Sequence, residues 1–236
     1  MTDNNCCKKT VAVIPCYNEQ KTIGSIVTEA LKYVDTVIVI DDGSVDKTKD
    51  EAKQYGAMVI KHRSNLGKGR AIKTAFEYLS DLDCKAVVFL DGDGQHDPAE
   101  IPQVLAPVLH ETADMVIGSR FIEGSLKIPF YRRVGQTVLN YATSAGSRVW
   151  VTDSQSGFRS FSNLAVKKMK LKEKGFAVES EMQFIAAKQG LKIQEVPITT
   201  LYSKKAKRNP FAHGFGVLLR IVSLILTEIR VNPYVG

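Results

Sequence analysis

The sequence predicts an α/β protein in which a mostly parallel sheet is flanked by helices. Three observations support this class. Short apolar runs rich in β-branched residues recur through residues 10–117, and a segment with helical spacing of apolar residues follows most of them. The runs are also apolar along their whole length, which is typical of strands covered on both faces. Alternation of this kind indicates parallel βαβ units with right-handed crossovers.

The predicted elements follow one another without long gaps. The strands are Thr10–Pro15, Thr36–Ile40, Ala57–Lys61, Ala86–Leu90 and Asp114–Ile117. The helices are Glu19–Tyr33, Lys47–Tyr55, Lys68–Leu79 and Ala99–Leu109. Asn18 precedes the first helix, where we expect it to act as the N-cap.

The alternation stops after Phe121. Beyond it we predict a helix over Arg132–Val149, a turn-like segment at Asp153–Arg159 and a helix over Glu179–Lys188. A strand at Ile193–Val196 and a basic loop at Ser203–Pro210 complete the pattern.

Composition excludes several classes of protein. The chain has 236 residues, of which 44% are hydrophobic, so it is not predominantly disordered. No apolar run reaches the roughly 18 residues of a membrane-spanning helix, and the polar N-terminus lacks a signal peptide. The four cysteines show no CxxC spacing, so reduced thiols in the cytoplasm are the expectation.

The positive charge of the chain is concentrated near its C-terminus. Residues 159–236 carry 14 Lys and Arg against 5 Asp and Glu, while the preceding residues have a small negative balance. This asymmetry indicates an anionic partner or, equally, a solvated basic face at Lys167–Lys174. Because no aromatic residue is interleaved there to stack on bases, we expect no nucleic acid among the partners.

Polar loops follow four of the predicted strands. They begin at Pro15, Asp41, Asp91 and Gly118, and three of them carry acidic residues. In open parallel sheets, ligands bind beyond the carboxyl ends of the strands. Asp and Gly are also good turn formers, but four such loops at one edge favour a binding site.

The pair Asp91 and Asp93 is the strongest chemical signal in these loops. Two carboxylates at a strand end are typical ligands of a hard divalent cation that also binds substrate phosphates. An EF-hand is excluded, because His96 and Pro102 stand where that loop requires Gly and Glu. The GxxxxGK[ST], GxGxxG and GxSxG motifs are also absent from the loops where an NTPase, a dehydrogenase or a hydrolase needs them.

Taken together, the motifs resemble those of a known family. The segments TVAVIPCYNE, VIVIDDGSVDKT, NLGKGRA, FLDGDGQHDP, GSRF and DSQSGFRSF are similar, in order and spacing, to family 2 glycosyltransferases with the GT-A fold. The resemblance is greatest to the branch of dolichol-phosphate mannose synthases and other polyprenol-phosphate glycosyltransferases. It covers roughly residues 10–210, so we expect a GT-A domain over 1–210 and a separate C-terminal segment over 211–236.

The resemblance implies a role for particular residues. The metal, Mg²⁺ or Mn²⁺, would be held by Asp91, Asp93 and Gln95. The nucleotide sugar would be bound by Pro15, Tyr17, Glu19, Ile40, Asp42, Asp91, Gly92, Asp93, Arg120, Lys204 and Lys205. The catalytic residues would be Asp93, Arg120 and Glu181, and the acceptor phosphate would meet Arg132 and Arg133.

The implied reaction is metal-dependent transfer of a sugar, with inversion, from a nucleoside diphosphate to a polyprenyl (dolichyl) phosphate. The basic loop containing Lys204 and Lys205 departs from the spacing seen in the mannose synthases. The resemblance favours GDP-mannose as the donor, and this departure leaves UDP-glucose and UDP-N-acetylhexosamine open as alternatives. A sugar nucleotidyltransferase shares this kind of sheet, but it would need a Gly-rich arginine loop where this chain has Pro15–Glu19.

The final segment has the pattern of an amphipathic helix. Its apolar residues recur at helical spacing in a wide stripe over Phe215–Ile229, after the basic loop. A helix packed on the sheet would show similar periodicity. Because the implied acceptor is a lipid, we expect this segment to lie on an anionic membrane surface and to make the protein peripherally membrane-associated.

Overall fold

The computed structural model describes residues 9–122, 130–172 and 177–199, together with Leu219 and Val222, and gives the backbone alone for 130–135. The strands are Lys9–Cys16 (β1), Thr36–Asp41 (β2), Met58–Lys61 (β3), Cys84–Phe89 (β4), Met115–Ser119 (β5), Arg159–Ser162 (β6) and Ile193–Pro197 (β7). The helices are Ile23–Ala30 (α1), Thr48–Gln54 (α2), Lys68–Ser80 (α3), Ile101–Leu109 (α4), Phe130–Ser147 (α5), Asn163–Lys168 (α6) and Val178–Lys188 (α7). A single 3-10 turn, Pro98–Glu100, leads into α4.

Within these residues the strands form one sheet in the order β3-β2-β1-β4-β6-β5-β7. The pairs β1–β2, β1–β4, β2–β3 and β5–β7 are parallel, which confirms the predicted mostly parallel sheet. The exception is β6, which lies between β4 and β5 and runs antiparallel to both. The residues that precede β6 therefore reach the same edge as the residues that follow its neighbours.

Two apolar cores cover the two faces of the sheet. Alternate residues of each strand enter different cores, with Val13 on one side and Ile14 on the other. The first core includes buried residues of α3, α6 and α7, and the second includes buried residues of α1, α2 and α4. The sheet is thus covered on both sides, as its uniformly apolar strands indicated.

Two local predictions differ from the structure. Helix α1 begins at Ile23 with Thr22 in the N-cap position, so the predicted N-cap role of Asn18 is wrong. Asn18 has a φ of 56°, and its Oδ1 accepts a hydrogen bond from Val45 N–H at 3.0 Å, which holds a turn instead of a helix end. Strand β6 is not predicted either, because its sequence, RSFS, contains no apolar run.

Several sequence-based predictions lie outside the described residues. These are the basic loop with Lys204 and Lys205 and nearly all of segment 211–236, of which only Leu219 and Val222 are described. Both are helical and exposed, at 56% and 43%. Across the described part of the chain, no helix combines the length and the apolar content needed to cross a membrane.

Candidate active site

The loops after β1 and β2 are joined to each other by hydrogen bonds. Asn18 N–H donates to Ser44 Oγ at 2.9 Å, and Glu19 N–H donates to Thr48 Oγ1 at 2.8 Å. Tyr17, between them and β1, is 41% exposed. The predicted donor-binding residues Tyr17 and Glu19 therefore belong to a loop that is fixed against its neighbour at the carboxyl edge of the sheet.

Asp42, at the end of β2, organises the turn that leads into α3. Its Oδ1 lies 2.7 Å from His62 Nδ1 and accepts from Leu66 N–H at 2.9 Å, and its Oδ2 accepts from Gly67 N–H at 2.8 Å. Asp42 is 3% exposed, and Ile40, the other predicted donor contact on β2, is fully buried. The structure thus gives Asp42 a role in holding the start of α3, and its contact with the base or ribose stays a prediction.

The loop after β4 approaches β1 closely. A Cβ at Gly92 would lie 2.8 Å from the Cβ of Cys16, so this position requires a glycine. The Gly92 carbonyl accepts a hydrogen bond from Thr22 Oγ1 at 2.7 Å. Pro15, predicted to bind the donor, is buried in β1 beside this loop. Its carbonyl oxygen would lie 3.5 Å from a Cβ added at Gly92.

Asp93 and His96 define the conformation of this loop. Asp93 accepts from Gln95 through both carboxylate oxygens, from the backbone N–H at 3.0 Å and from Nε2 at 2.6 Å. His96 Nδ1 accepts from Asp91 N–H at 3.2 Å, and its ring lies 5.2 Å from that of Phe158. Burial lowers the pKa of His96, which is consistent with a neutral ring that accepts this hydrogen bond.

The donor set of this loop fits a hard divalent cation. Asp91 and Asp93 supply carboxylate oxygens, and Gln95 donates through its amide nitrogen, which leaves its amide oxygen as a potential ligand. In the described residues, no group of three His, Cys, Asp or Glu side chains gathers around one point. Two carboxylates with room for substrate phosphates suit Mg²⁺ or Mn²⁺ better than a closed structural site.

Lys68, at the start of α3, contacts Asp91 in this loop. Its Nζ lies 2.8 Å from Asp91 Oδ1 and 2.9 Å from Glu179 Oε1. Burial disfavours the charge of Lys68, but the two carboxylates outweigh that effect and raise its pKa above the ordinary value. Burial likewise acts to raise the pKa of Asp91, but the nearby positive charge, first of all that of Lys68, holds it below the ordinary value. Asp91 and Lys68 are therefore a charged pair.

Arg120, which follows β5, is held by Asp153. Its Nε lies 2.6 Å from Asp153 Oδ2 and its Nη2 lies 2.7 Å from Asp153 Oδ1. This is the bidentate arrangement that an arginine makes with a carboxylate. The side chain of Asp153 is fully buried, whereas that of Arg120 is 15% exposed. The positive charge of Arg120 also contributes, after that of Lys68, to lowering the pKa of Asp91.

The loop between Asp153 and β6 is tied down from within by Arg159. Arg159 is fully buried and donates to the carbonyls of Ser154, Ser156 and Glu179 at 2.6, 2.7 and 2.7 Å. Burial lowers the pKa of its guanidinium to about 10, so the group remains charged near neutral pH. One buried side chain thus joins this loop to the first turn of α7.

Gly157, in the same loop, lies against the first of the paired carboxylates. A Cβ at this position would lie 2.8 Å from Asp91 Oδ2 and 3.0 Å from Asp91 Oδ1. The loop before β6 and the loop after β4 therefore meet at Asp91.

Glu181 is the predicted catalytic carboxylate of α7, but Glu179 is the residue joined to Asp91 through Lys68. Glu181 is 5% exposed, and its Oε1 accepts from Lys172 N–H at 2.7 Å. Its catalytic role stays a prediction, as do those of Arg132, Arg133, Lys204 and Lys205, whose side chains lie outside the described residues.

Four further residues of this site are not predicted from the sequence. They are Lys68, Asp153, Arg159 and Glu179. Lys68 and Asp153 belong to the motifs NLGKGRA and DSQSGFRSF, which carry the family resemblance without assigning a role to these side chains. That position within a motif is the signal that could have found them.

Comparison with known proteins identifies the family. Residues 11–173 match the model of glycosyl transferase family 2. The chain is 33% identical over 241 residues to the UDP-N-acetylglucosamine--dolichyl-phosphate N-acetylglucosaminyltransferase of Methanococcus voltae, covering 92% of this chain and 96% of that protein. It is 30% identical over 207 residues to the undecaprenyl-phosphate mannosyltransferase of Micrococcus luteus, covering 81% and 83%.

A solved structure shares the fold. The glucosyl-3-phosphoglycerate synthase of Mycobacterium tuberculosis, in complex with Mn²⁺, UDP and glucosyl-3-phosphoglycerate, superposes with a TM-score of 0.69 at 21% identity. The superposition covers 94% of this chain and 80% of that one. The predicted GT-A architecture is thereby confirmed. With the family match over more than half of its length, the chain belongs to glycosyltransferase family 2.

Proposed function

We propose that this glycosyltransferase moves a sugar from a nucleoside diphosphate sugar to a polyprenyl phosphate, with inversion at the sugar carbon. The observation that supports it most is the pair Asp91 and Asp93 at the end of β4, with Lys68 and Arg120 beside it. The relatives from M. voltae and M. luteus are both named for transfer to a polyprenyl phosphate. Membership of family 2 favours this reaction over that of a sugar nucleotidyltransferase.

In the proposed mechanism, a phosphate oxygen of the acceptor attacks the anomeric carbon and the nucleoside diphosphate leaves with the bonding electron pair. A phosphate monoester has a second pKa of about 6, so it is largely ionised at neutral pH. The attacking group therefore needs no general base. Arg132 and Arg133 at the start of α5 are proposed to position it.

Residues of the β4 and β5 loops act on the leaving diphosphate. Asp91, Asp93 and Gln95 would hold the Mg²⁺ or Mn²⁺ ion, which when bound neutralises charge on the diphosphate. Asp153 fixes the orientation of the Arg120 guanidinium, which is proposed to act on the donor phosphates through its positive charge. Lys204 and Lys205 are proposed to cover the donor phosphates from the basic loop.

The donor is the part of this proposal that most needs an experiment. GDP-mannose is favoured by the resemblance to mannose synthases, and the name of the M. voltae relative supports UDP-N-acetylglucosamine among the predicted alternatives. A panel of GDP-mannose, UDP-glucose and UDP-N-acetylglucosamine, each with a short polyprenyl phosphate and Mg²⁺ or Mn²⁺, is the direct test. Release of one nucleotide that depends on the lipid phosphate supports the proposal. Equal release without the acceptor, or no release from any donor, contradicts it.

Peripheral association with the cytoplasmic face of a membrane is also proposed. Helix α5 and the residues just after it expose apolar side chains. Val138 is 48% exposed, Tyr141 is 64% exposed and Trp150 is 68% exposed, and the two aromatic rings pack edge to face at 5.4 Å. Exposed Trp and Tyr side chains are favoured at the boundary between lipid and water.

Sedimentation with liposomes tests this association. The full chain is expected to sediment with anionic liposomes at low salt, less so at high salt or after deletion of Phe211–Gly236. Neutral phosphatidylcholine liposomes are the control. A full chain that stays in the supernatant with anionic liposomes at low salt contradicts the proposed membrane surface.

A further inference from the structure

The Lys68 ammonium is placed between two carboxylates from different parts of the chain. It meets Asp91 Oδ1 at 2.8 Å and Glu179 Oε1 at 2.9 Å, and its side chain is 22% exposed. Asp91 belongs to the proposed metal site, whereas Glu179 lies in the first turn of α7. A positive charge of the protein, that of Lys68, therefore already lies beside the carboxylate that is proposed to bind the metal.

Glu179 stabilises the Lys68 ammonium in this position. The Glu179 side chain is 4% exposed, and among the described residues its Oε2 has no hydrogen-bond partner. Its carbonyl accepts from Arg159, which fixes the backbone of this turn. Since an unpaired buried carboxylate is strongly unfavourable, Glu179 holds the ammonium in the site.

A divalent cation at Asp91 has to share that carboxylate with Lys68. Two cations on one carboxylate would repel each other, and the ion pair with Glu179 keeps the ammonium from moving freely into solvent. A diphosphate beside Asp91 adds several negative charges and offers both cations further oxygen partners. The charge of Lys68 therefore disfavours binding of the metal alone. It does not disfavour binding of the metal together with the diphosphate.

From this arrangement we propose that Lys68, held by Glu179, makes metal binding conditional on the donor diphosphate. This inference rests on the proposed function, because it takes Asp91 and Asp93 as the metal-binding pair. It assigns Lys68 as the residue that couples the two ligands and Glu179 as a positioning residue that acts through Lys68. The order of binding is then a property of the protein and not of the metal.

The experiment measures the dissociation constant of Mn²⁺ from the signal of the free ion in electron paramagnetic resonance, without nucleotide and with GDP or UDP. The Mn²⁺ that the nucleotide binds by itself is determined in protein-free samples and subtracted. In the wild type, nucleotide is expected to tighten Mn²⁺ binding by about tenfold or more, within the usual range of coupling between two ligands. In Lys68→Met, Mn²⁺ alone is expected to bind about tenfold more tightly, and the effect of nucleotide should fall to about threefold or less.

Two further variants separate coupling from damage to the fold. Lys68→Met with Glu179→Gln avoids leaving the buried Glu179 carboxylate without its cation, and it should behave like Lys68→Met. Lys73→Met removes a partly exposed lysine from the same helix and should keep wild-type coupling. Circular dichroism and thermal unfolding establish that each variant is folded.

The outcomes are distinguishable. If the wild type binds Mn²⁺ equally well with and without nucleotide, or if both Lys68 variants keep wild-type coupling, this inference is overturned while the metal site stands. If neither GDP nor UDP brings any Mn²⁺ onto the wild type, the proposed metal site itself is contradicted, and this inference with it. Tighter binding of Mn²⁺ alone in both Lys68 variants, with coupling lost, supports it.

Discussion

The two halves of the described chain place their polar side chains differently. Up to β5 the strands are mostly apolar, and most polar side chains appear near the strand ends. From β6 onward, polar groups enter the interior, and Arg159, Ser160, Glu179 and Gln183 are all at most 3% exposed. The first half thus presents functional groups at the edge of a rigid sheet, and the second half fixes them from behind through buried hydrogen bonds.

This difference locates sensitivity to mutation. A change in a loop of the first half should affect chemistry more than folding, because the loop contributes little to either apolar core. A change among the buried polar groups of the second half should affect folding first, because it leaves partners unsatisfied in a region that water does not reach.

Arg159→Met is expected to have the largest effect on stability. It removes a buried charge and leaves the carbonyls of Ser154, Ser156 and Glu179 without this donor. We expect the free energy of unfolding to fall by about 3–5 kcal/mol, measured by urea denaturation. Arg63→Met, at an exposed arginine of the first half, is the matched control and should change it by less than about 0.5 kcal/mol. Similar values for the two variants would remove the distinction between the halves.

Asp93→Ala should show the opposite behaviour. We expect transfer to fall by about 10²–10³-fold, because the metal ligand is lost, while stability changes by no more than about 1 kcal/mol. Asp97→Ala is the control in the same loop. Asp97 Oδ1 accepts from Ala99 N–H at 2.9 Å and caps the 3-10 turn, so its loss should cost about 1 kcal/mol and leave transfer near the wild-type rate. Substantial activity of Asp93→Ala with Mg²⁺ or Mn²⁺ present would show that the metal assignment is wrong.

Arg120→Lys tests the contact between the halves, since Arg120 follows β5 and Asp153 precedes β6. Lysine keeps the charge but cannot make the bidentate contact, so kcat/KM should fall by about tenfold. Asp153→Asn should have a similar effect by loosening the arginine. Because both changes break the same contact, the double variant should lose less than the product of the single losses. Unchanged kcat and KM in Arg120→Lys would remove Arg120 from the site.

Asn18→Ala is expected to have the smallest effect. Asn18 has a φ of 56°, which alanine adopts poorly. The alanine variant also lacks the side-chain oxygen that accepts the hydrogen bond from Val45 N–H. We expect a loss of about 1 kcal/mol in the free energy of unfolding, and a smaller loss for Asn18→Gly, which tolerates this backbone conformation. Thermal unfolding of the two variants distinguishes backbone strain from the lost hydrogen bond, and a larger loss in the glycine variant would contradict the strain.

The sequence is most informative where a strand is apolar along its length. Val11–Ile14 and Val37–Ile40 indicate buried strands without further knowledge, and the residues after them are then placed at one edge. The same reasoning places Asp91 and Asp93 at that edge, after β4, from the amino-acid sequence alone. It fails for β6, because a buried Arg159 beside a buried Ser160 looks in sequence like the continuation of a polar turn.

Pairing across the fold could not be predicted. Lys68, Asp91 and Glu179 belong to α3, the β4 loop and α7, so no spacing in the sequence relates them. The antiparallel direction of β6 adds a second difficulty, since Asp153 reaches the site from before its strand and not from after it. If only the residues after each strand are considered as site residues, Asp153 is assigned to a turn.

The contact between Gly157 and Asp91 restricts how this protein can change over generations. The smallest substitution at position 157 adds one methyl group, and that carbon would lie 2.8 Å from a carboxylate oxygen. Such a substitution would have to displace Asp91 from the place where it meets Lys68. Position 157 and the placement of the Asp91 carboxylate are therefore coupled, so that a substitution at the one is expected to disturb the other.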